Sequence, residues 1–441
     1  MRSYRQLSHA RSFALAAIAI LAIATNVTGQ TEKVLYSFEA GAQGGSGPQS
    51  ALVMDSAGNF YGTNFYGGTF EGASGVCSDD GAYGCGTAFE LSPSSHGGWT
   101  EKVLRNFGGS GDGANPAAAL ISDAAGNLYG TTSGGGSKGC GTVFELIHPK
   151  SGPWAEQVLY SFCSLPEEAD GSHPYGGLIF DKAGNLYGTA GEGGTGPCGC
   201  AGVVFELSLE QGVWTEHVLH NFGSEGDGAN PVAGLVFDQA GNLYGTAVLG
   251  GSSCNFNLGC GVVFELSPQT GGTWTEKVLY IFTGGYEDTV AEPNSTPILD
   301  AAGNLYGTTV YTPGAFQLTP NSDGSWSESD LPAPCCFPNA LIMDSTGNLY
   351  ATAASGTGGS CCGSVFELAP QADGGWTETT LLTFPPSGKR GAFPFSGLIF
   401  DSKGNLYGTT AQGGSFWHIG AQAPAGTVFE IAPAPAEIAP K

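Results

Sequence analysis

A six-residue phrase, Gly-Asn-Leu-Tyr-Gly-Thr or a close variant, recurs seven times along this chain of 441 residues. An Asp stands four residues before the Asn of every copy. Two further phrases follow most copies: Gly-Thr-Val-Phe-Glu-Leu, as at 141–146, and Trp-Thr-Glu-Lys-Val-Leu-Tyr-x-Phe, as at 274–282. Repetition on this scale predicts an array of one supersecondary unit. The seven copies are centred on Asn59, Asn127, Asn185, Asn242, Asn304, Asn348 and Asn405.

Each repeat contains four short segments with the composition of β-strands. In the third repeat they are strand a (177–181), strand b (186–189), strand c (203–207) and strand d (214–222), all rich in β-branched and aromatic residues. Between a and b, Gly184 permits positive φ, and the Asp181 carboxylate can accept hydrogen bonds from backbone amides, which predicts a tight turn. The 74 glycines argue against an ordinary helical protein. Four strands in about 45–65 residues are typical of one blade of a β-propeller.

The two ends of the repeat region predict how the array closes. The region opens at 31–38 with a strand d that has no a, b or c before it, and it ends at 397–431 with a, b and c only. The sequence therefore predicts an all-β protein, a seven-bladed β-propeller with four antiparallel strands per blade, in which the N-terminal strand completes the last blade. This closure leaves no open sheet edge. An open solenoid is the alternative. The propeller is expected to span 31–433, with a Pro/Ala-rich tail at 434–441.

The first 29 residues have the composition of a secretory signal peptide. A basic start precedes an apolar run of twelve residues, 13–24, which is too short to span a bilayer, and small residues follow it. We therefore expect a secreted or periplasmic protein. The net charge of −25 disfavours nucleic acid and anionic membrane surfaces as partners. No membrane insertion is expected, and we expect a monomer.

Twelve cysteines in an exported chain predict disulfides rather than a metal site. Short loops favour Cys77–Cys85 and Cys254–Cys260, Cys163 is expected to pair with Cys140 or Cys198, and Cys335 or Cys336 with Cys361 or Cys362. All of them fall in b–c or d–a connections, which leave one face of a propeller because its strands alternate in direction. The twelfth cysteine, Cys200, also precedes a strand c.

Taken together, the phrases resemble the GloVer tandem-repeat proteins, described as choice-of-anchor proteins of bacteria. The resemblance covers residues 31–433 and rests on seven copies of the Leu-Ile-x-Asp-x-x-Gly-Asn-Leu-Tyr-Gly-Thr-Thr pattern and the phrases after it. It implies export and often a C-terminal sorting signal, and it implies no known activity. The stretch 432–441 has neither an apolar helix nor a basic tail, so we expect a released member. The Asp-x-x-Gly-Asn-x-Tyr core is also similar to NHL-type blades, which are mostly interaction platforms.

Non-repeated residues in the b–c loops are the candidates for a binding site. Aromatic side chains close to acidic ones can stack on sugar rings or hold a peptide; the alternative is that they only cover the ends of the blades. The candidate ligand-binding residues are Tyr66, Phe70, Asp80, Tyr83, Phe256, Tyr311, Trp417 and His418.

No catalytic residue, metal site or cofactor is predicted. The Asp of each a–b turn, and the Glu that strand c carries in every blade except the fifth, where Gln317 replaces it, recur in equivalent settings, whereas a catalytic pair needs carboxyl groups in unlike settings. His217 and His220 are expected on opposite faces of a strand. Three functions remain: a non-enzymatic scaffold that binds a glycan or protein through the b–c and d–a loops, a hydrolase or lyase that uses carboxylates of the central pore or His418, and a passive surface protein.

Overall fold

A computed structural model describes the protein over residues 31–39, 44–69, 77, 84–196, 201–251, 260–283, 292–311, 314–334, 338–354, 362–385, 388–414 and 425–432. Within these ranges the strands form seven four-stranded antiparallel sheets, each in the order a, b, c, d. Thr31–Ser37 supplies strand d of blade 7 by pairing with Thr427–Ala432. The predicted seven-bladed propeller and its closure by the N-terminal strand are therefore confirmed.

The strands repeat in length from blade to blade. In blades 1 to 7, strand a is Val53–Met54, Ile121–Ser122, Ile179–Phe180, Val236–Phe237, Ile298–Leu299, Ile342–Met343 and Ile399–Phe400. Strand b is Phe60–Asn64, Leu128–Thr132, Leu186–Ala190, Leu243–Ala247, Leu305–Thr308, Leu349–Ala353 and Leu406–Thr410. Strand c is Thr87–Pro93, Thr142–Ile147, Val203–Glu210, Val262–Pro268, Gly314–Pro320, Ser364–Pro370 and Thr427–Ala432. Strand d of blades 1 to 6 is Trp99–Asn106, Ala155–Ser161, Val213–Asn221, Trp274–Ile281, Trp326–Pro332 and Trp376–Thr383.

The hydrophobic core of the described chain is divided into seven clusters, one between each pair of neighbouring blades. A repeated ring pair joins the end of strand d to strand c of the next blade. In the closing junction, the ring of Phe38 packs edge-on against Phe89 with 5.0 Å between centroids, and both side chains are fully buried. The N-terminal strand therefore contributes core packing as well as backbone pairing.

Hydrogen bonds from strand b reinforce the junctions. The Thr in the Gly-Thr phrase donates its side-chain hydroxyl to a backbone carbonyl just before strand a of the next blade, as Thr189 does to Ala233 at 2.7 Å. Six junctions carry this bond, including the closing one, where Thr409 donates to Pro48. Thr308 differs, because its buried hydroxyl has no hydrogen-bond partner among the described residues. The repeated Thr thus links blades rather than lining a site.

Candidate functional site: the b–c and d–a loops and the blade junctions

The Asp residues of the a–b turns have a structural role. One carboxylate oxygen of Asp55 accepts the backbone N–H groups of Ala57 and Asn59, and the other accepts the Asn59 amide and the Tyr61 hydroxyl. Burial alone would raise the pKa of Asp55, but these hydrogen bonds outweigh it and lower that pKa. The same Asp–Asn bond occurs in all seven blades.

The d–a and b–c loops meet on one face, as the alternation of strand direction predicts. In blades 1, 2 and 4 they form two-stranded sheets, and in blades 3, 5, 6 and 7 single bridges join them. The sheets pair Gly45–Ser46 with Tyr66–Gly67, Gly113–Ala114 with Gly134–Gly135, and Gly228–Ala229 with Leu249–Gly250. We call this surface the loop face.

A residue with a left-handed backbone stands before a proline in the d–a loops of this face. Its N–H donates to the preceding blade and its carbonyl accepts from its own b–c loop: His173 donates to Cys140 and accepts from Gly191. Gly or Asn suits positive φ, yet His173 (55°), Glu292 (65°) and Phe393 (54°) occupy the position in blades 3, 5 and 7. This backbone conformation costs free energy in residues other than Gly or Asn, so the three side chains are candidates for a functional role.

Disulfides hold part of the loop face. A bond joins Cys77 to Cys85, the pair expected from the short loop between them, and another joins Cys140 to Cys163, one of the two alternatives for Cys163. Cys260 is also disulfide-bonded, and its expected partner Cys254 lies outside the described residues. The Cys140–Cys163 bond fastens the d–a loop that carries His173 to the b–c loop of blade 2. The other predicted cysteines outside the described residues are Cys198, Cys200, Cys335, Cys336 and Cys361, whereas Cys362 is described and buried.

Of the predicted ligand-binding residues, two are described. Tyr66 is half-buried in its short strand, with its ring edge-on to Phe65. Tyr311 lies in the b–c loop of blade 5 and is 50% exposed. The other predicted residues, Phe70, Asp80, Tyr83, Phe256, Trp417 and His418, lie outside the described residues.

The exposed aromatic side chains of the described chain, Tyr175, Tyr311 and Phe395, all lie on the loop face. Two of them follow the left-handed residues directly after the proline. The rings of His173 and Tyr175 are 6.4 Å apart and inclined by 19°, and those of Phe393 and Phe395 are 6.3 Å apart and inclined by 13°. Blades 3 and 7 therefore present similar pairs of near-parallel rings, nearly opposite each other around the ring of blades.

Blade 3 adds polar groups to its ring pair. The Glu192 carboxylate lies 3.6 Å from Nδ1 of His173, and its side chain is 53% exposed. Backbone hydrogen bonds in both directions between Ser172 and Glu192 hold these two loops together. Burial, and then the charge of Glu192, raises the pKa of Tyr175, so its hydroxyl remains a donor at neutral pH. We call His173, Tyr175 and Glu192 the blade 3 cluster.

Sequence reasoning missed His173, Tyr175, Phe393 and Phe395 because it concentrated on the b–c loops. A signal was present in the repeated X-Pro before strand a. Aligning the repeats on this proline shows His and Phe where other copies have Gly or Asn, as in Gly47-Pro48 and Asn115-Pro116.

Clefts lie between a–b turns on the opposite face, two of them beside blade 4. One of about 510 Å³ lies between blades 3 and 4 against Phe180 and Phe237, and one of about 1030 Å³ extends from Lys182 to the turn of blade 5. The carboxylates of Asp181 and Asp238 in their walls accept hydrogen bonds of their own turns. The carboxylates of Asp181 and Asp238 therefore stabilise the a–b turns.

Largely buried carboxyl pairs lie at three of the blade junctions that the structure describes. The Asp of a d–a loop meets the Glu of the next strand d, and we call each pair a carboxylate frame. Between blades 1 and 2, Arg105 bridges the frame: its guanidinium is 2.6 Å from Asp112 and 2.5 Å from Glu156. Between blades 2 and 3, Tyr160 donates to Asp170 at 2.8 Å. Between blades 3 and 4, the third residue is His220, beside Asp227 and Glu276.

The strand-d glutamates of these frames have raised pKa values. Burial, and then the charge of Asp170, raises the pKa of Glu216 to about 8. Asp170 is fully buried and accepts hydrogen bonds from the Tyr160 hydroxyl and from the N–H groups of Ser164 and Leu165. Burial likewise raises the pKa of Glu276. At neutral pH, Glu216 is therefore predominantly protonated in the folded protein.

A β-bulge in strand d creates this arrangement. In blade 3, Val218 pairs with Phe205 and His220 with Val204, so Leu219 is extra. Glu216 then faces blade 2, whereas His220 faces blade 4. The expectation that His217 and His220 lie on opposite faces is wrong, because their partners Glu206 and Val204 are two residues apart and thus share a face. Six of the seven blades have this bulge.

Within the described ranges, no helix has the length and hydropathy that a membrane span requires. Solved structures share the overall fold. The chain is similar to a streptogramin B lyase, at 14% identity over 92% of this chain and 98% of the other, with a TM-score of 0.50. It is also similar to virginiamycin B lyase from Staphylococcus aureus, at 14% identity over 91% and 99% of the two chains, with a TM-score of 0.50. At this identity the likeness shows the fold alone.

No curated protein sequence matches the chain at a significant level. A family model, the Gloeobacter/Verrucomicrobia repeat, matches residues 72–320 and 257–439, which together cover most of the chain. These ranges include the a–b turns and the strands of blades 2 to 6, and strands a, b and c of blade 7. The chain therefore belongs to the Gloeobacter/Verrucomicrobia repeat family.

Proposed function

We propose that the protein is an exported, non-enzymatic recognition module that binds a glycan through its loop face. The observation that carries the proposal is the position of the exposed aromatic residues. Tyr175, Tyr311 and Phe395 all lie on this face, and two of them belong to near-parallel ring pairs. A flat aromatic ring offers an apolar surface to the C–H face of a sugar ring.

The blade 3 cluster supplies the polar groups that orient such a ligand. The Glu192 carboxylate accepts hydrogen bonds from hydroxyl groups, and the imidazole of His173 and the phenol of Tyr175 both donate and accept. These types of contact suit a neutral polyhydroxylated ligand. A polyanionic ligand is disfavoured by the net charge of −25.

Rigidity of the loops favours binding. The Cys140–Cys163 disulfide and the backbone bonds of Ser172 with Glu192 hold the blade 3 cluster before a ligand arrives. A site that is already ordered loses less conformational entropy when it binds. The left-handed backbone of His173 and Phe393 is consistent with side chains kept for binding rather than for backbone stability.

A glycan array with the disulfide-intact protein tests the proposal. We expect selective binding to a group of related neutral glycans, with at least a tenfold loss in Tyr175→Ala. Val213→Ala is the matched control, because Val213 is 66% exposed at the c–d hairpin of blade 3, on the opposite face. Absence of glycan binding by the wild-type protein, or equal binding by Y175A and the wild type, contradicts the proposal and favours a protein partner.

A further inference from the structure

The carboxylate frame between blades 3 and 4 differs from its neighbours in the residue that accompanies it. Nε2 of His220 lies 3.2 Å from Asp227, and the ligating atoms of His220, Asp227 and Glu276 all lie within 4.8 Å of one another. The side chains of His220 and Asp227 are 19% and 5% exposed. One histidine nitrogen and two carboxylates thus converge in a largely dehydrated junction.

The frame between blades 1 and 2 shows that a positive charge can lie between the two carboxyl groups. There, the guanidinium of Arg105 contacts both carboxylates, so a cation lies between them. The imidazole of His220 reaches Asp227 with one nitrogen, and Oε1 of Glu276 is buried without a hydrogen-bond partner among the described residues. His220 therefore contacts one carboxylate of its frame, whereas Arg105 contacts both, and the Glu276 side chain is hydrogen-bonded to Asp227 instead.

We propose that His220, Asp227 and Glu276 bind one divalent transition-metal ion, of which Zn²⁺ is the representative. Imidazole and carboxylate are ordinary zinc ligands at about 2.0–2.2 Å, and small side-chain movements bring three atoms at these separations to a common centre. Binding of the ion displaces any proton held by Glu276, and neutral imidazole, two carboxylates and a dication then carry no net charge together, which suits a buried junction. Imidazole selects this class of ion over Ca²⁺ or Mg²⁺.

Surrounding groups orient the ligands. Both oxygens of Asp227 accept backbone N–H groups, Oδ1 from Gly228 at 2.6 Å and Oδ2 from Gly223 at 3.2 Å. The His220 ring packs edge-on against the fully buried Phe222 at 4.6 Å. Such contacts around the ligands fix their orientation. The other grouping of potential ligands in the described chain, Cys140, Cys163 and Glu168, has both sulfurs in a disulfide and is not equivalent.

The site would join two blades. His220 lies on strand d of blade 3 and Asp227 in the d–a loop that follows it, whereas Glu276 lies on strand d of blade 4. A bound ion therefore adds a link across the junction, and an ion that binds the folded state alone raises the unfolding temperature. This inference does not depend on glycan binding.

Isothermal titration of Zn²⁺ into the chelator-treated, disulfide-intact chain tests the proposal. We expect uptake by the wild type, with one equivalent lost in His220→Gln and a smaller zinc-induced rise in Tm. His217→Gln is the matched control, because His217 lies on the same strand and face but pairs with the exposed Glu210. The H217Q variant should bind as many equivalents of Zn²⁺ as the wild type.

A gain-of-site variant keeps the test independent of damage to this junction. Tyr160→His places an imidazole beside Asp170 and Glu216, the equivalent frame between blades 2 and 3, and should add one equivalent of Zn²⁺. No zinc uptake by the wild type, or full wild-type stoichiometry in H220Q, overturns the proposed site. No additional equivalent in Y160H contradicts the role assigned to the carboxylate frame.

Discussion

Replacing the partly buried Glu216 by glutamine should remove a specific pH dependence from the stability of the propeller. In the folded protein, burial and the charge of Asp170 raise the pKa of Glu216 to about 8, whereas the same carboxyl group in the unfolded chain titrates near 4.5. Glutamine resembles the protonated acid in shape and cannot ionise. We therefore expect the Glu216→Gln variant to fold. Its free energy of unfolding should differ from that of the wild type by an amount that depends on pH.

The sign follows from proton binding. Between about pH 4.5 and pH 8 the folded state holds a proton at Glu216 that the unfolded state has lost, so unfolding releases a proton and stability falls as pH rises. The contribution is fully present below about pH 4.5 and is lost by about pH 8. The slope for one such group is at most about 1.36 kcal/mol per pH unit, or about 2.7 kcal/mol between pH 5 and pH 7. Because Glu216 is only partly buried, we expect about half of that value.

Urea denaturation at pH 5, 6, 7 and 8 with disulfides intact measures the difference. The free energy of unfolding of E216Q should rise relative to the wild type at each step. Glu225→Gln is the matched control, because it removes the same charge from an exposed position in the neighbouring loop. If the free energies of unfolding of E216Q and the wild type change with pH in parallel, the reasoning about the Glu216 carboxyl group is refuted.

Three further predictions concern closure, backbone strain and cross-linking. Phe38→Ala removes a fully buried ring from the closing junction and should cost about 3–5 kcal/mol in urea denaturation; a cost below about 1 kcal/mol would contradict closure by this strand. His173→Asn should raise Tm and weaken glycan binding, because Asn tolerates positive φ better and the equivalent Asn115 donates to a carbonyl of the preceding blade; unchanged binding would remove His173 from the site. Replacing Cys140 and Cys163 by serine should cost about 3 kcal/mol of stability, measured by urea denaturation, and a neutral result would contradict the role of the disulfide in that loop.

The architecture was predictable because it depends on patterns that lie close together in the chain. In the third repeat, Asp181, Gly184 and Asn185 specify the turn, and alternating residues specify the strands beside it. The predicted b strand at 186–189 is Leu186–Ala190 in the structure, and the predicted c strand at 203–207 begins at Val203 as expected. The unmatched strand at the start of the repeat region predicted closure, since a ring leaves no unpaired edge.

The site was only partly predictable. The sequence indicated the loop face, but attention to the b–c loops missed Tyr175 and Phe395, which follow prolines in the d–a loops. The alternation of side chains along strand d also predicted the wrong face for His220, because the extra residue Leu219 shifts His220 to the other face of the strand.

By itself, the sequence determined the number of blades, the turns and the order of strands, since each depends on residues within one repeat. The tertiary structure alone decided which side chains meet between blades. His220 and Glu276 are 56 positions apart and come together because a bulge turns one toward the next blade while the next strand d presents the other. Burial in that junction, and then the charge of Asp227, raises the pKa of Glu276, which no local pattern encodes.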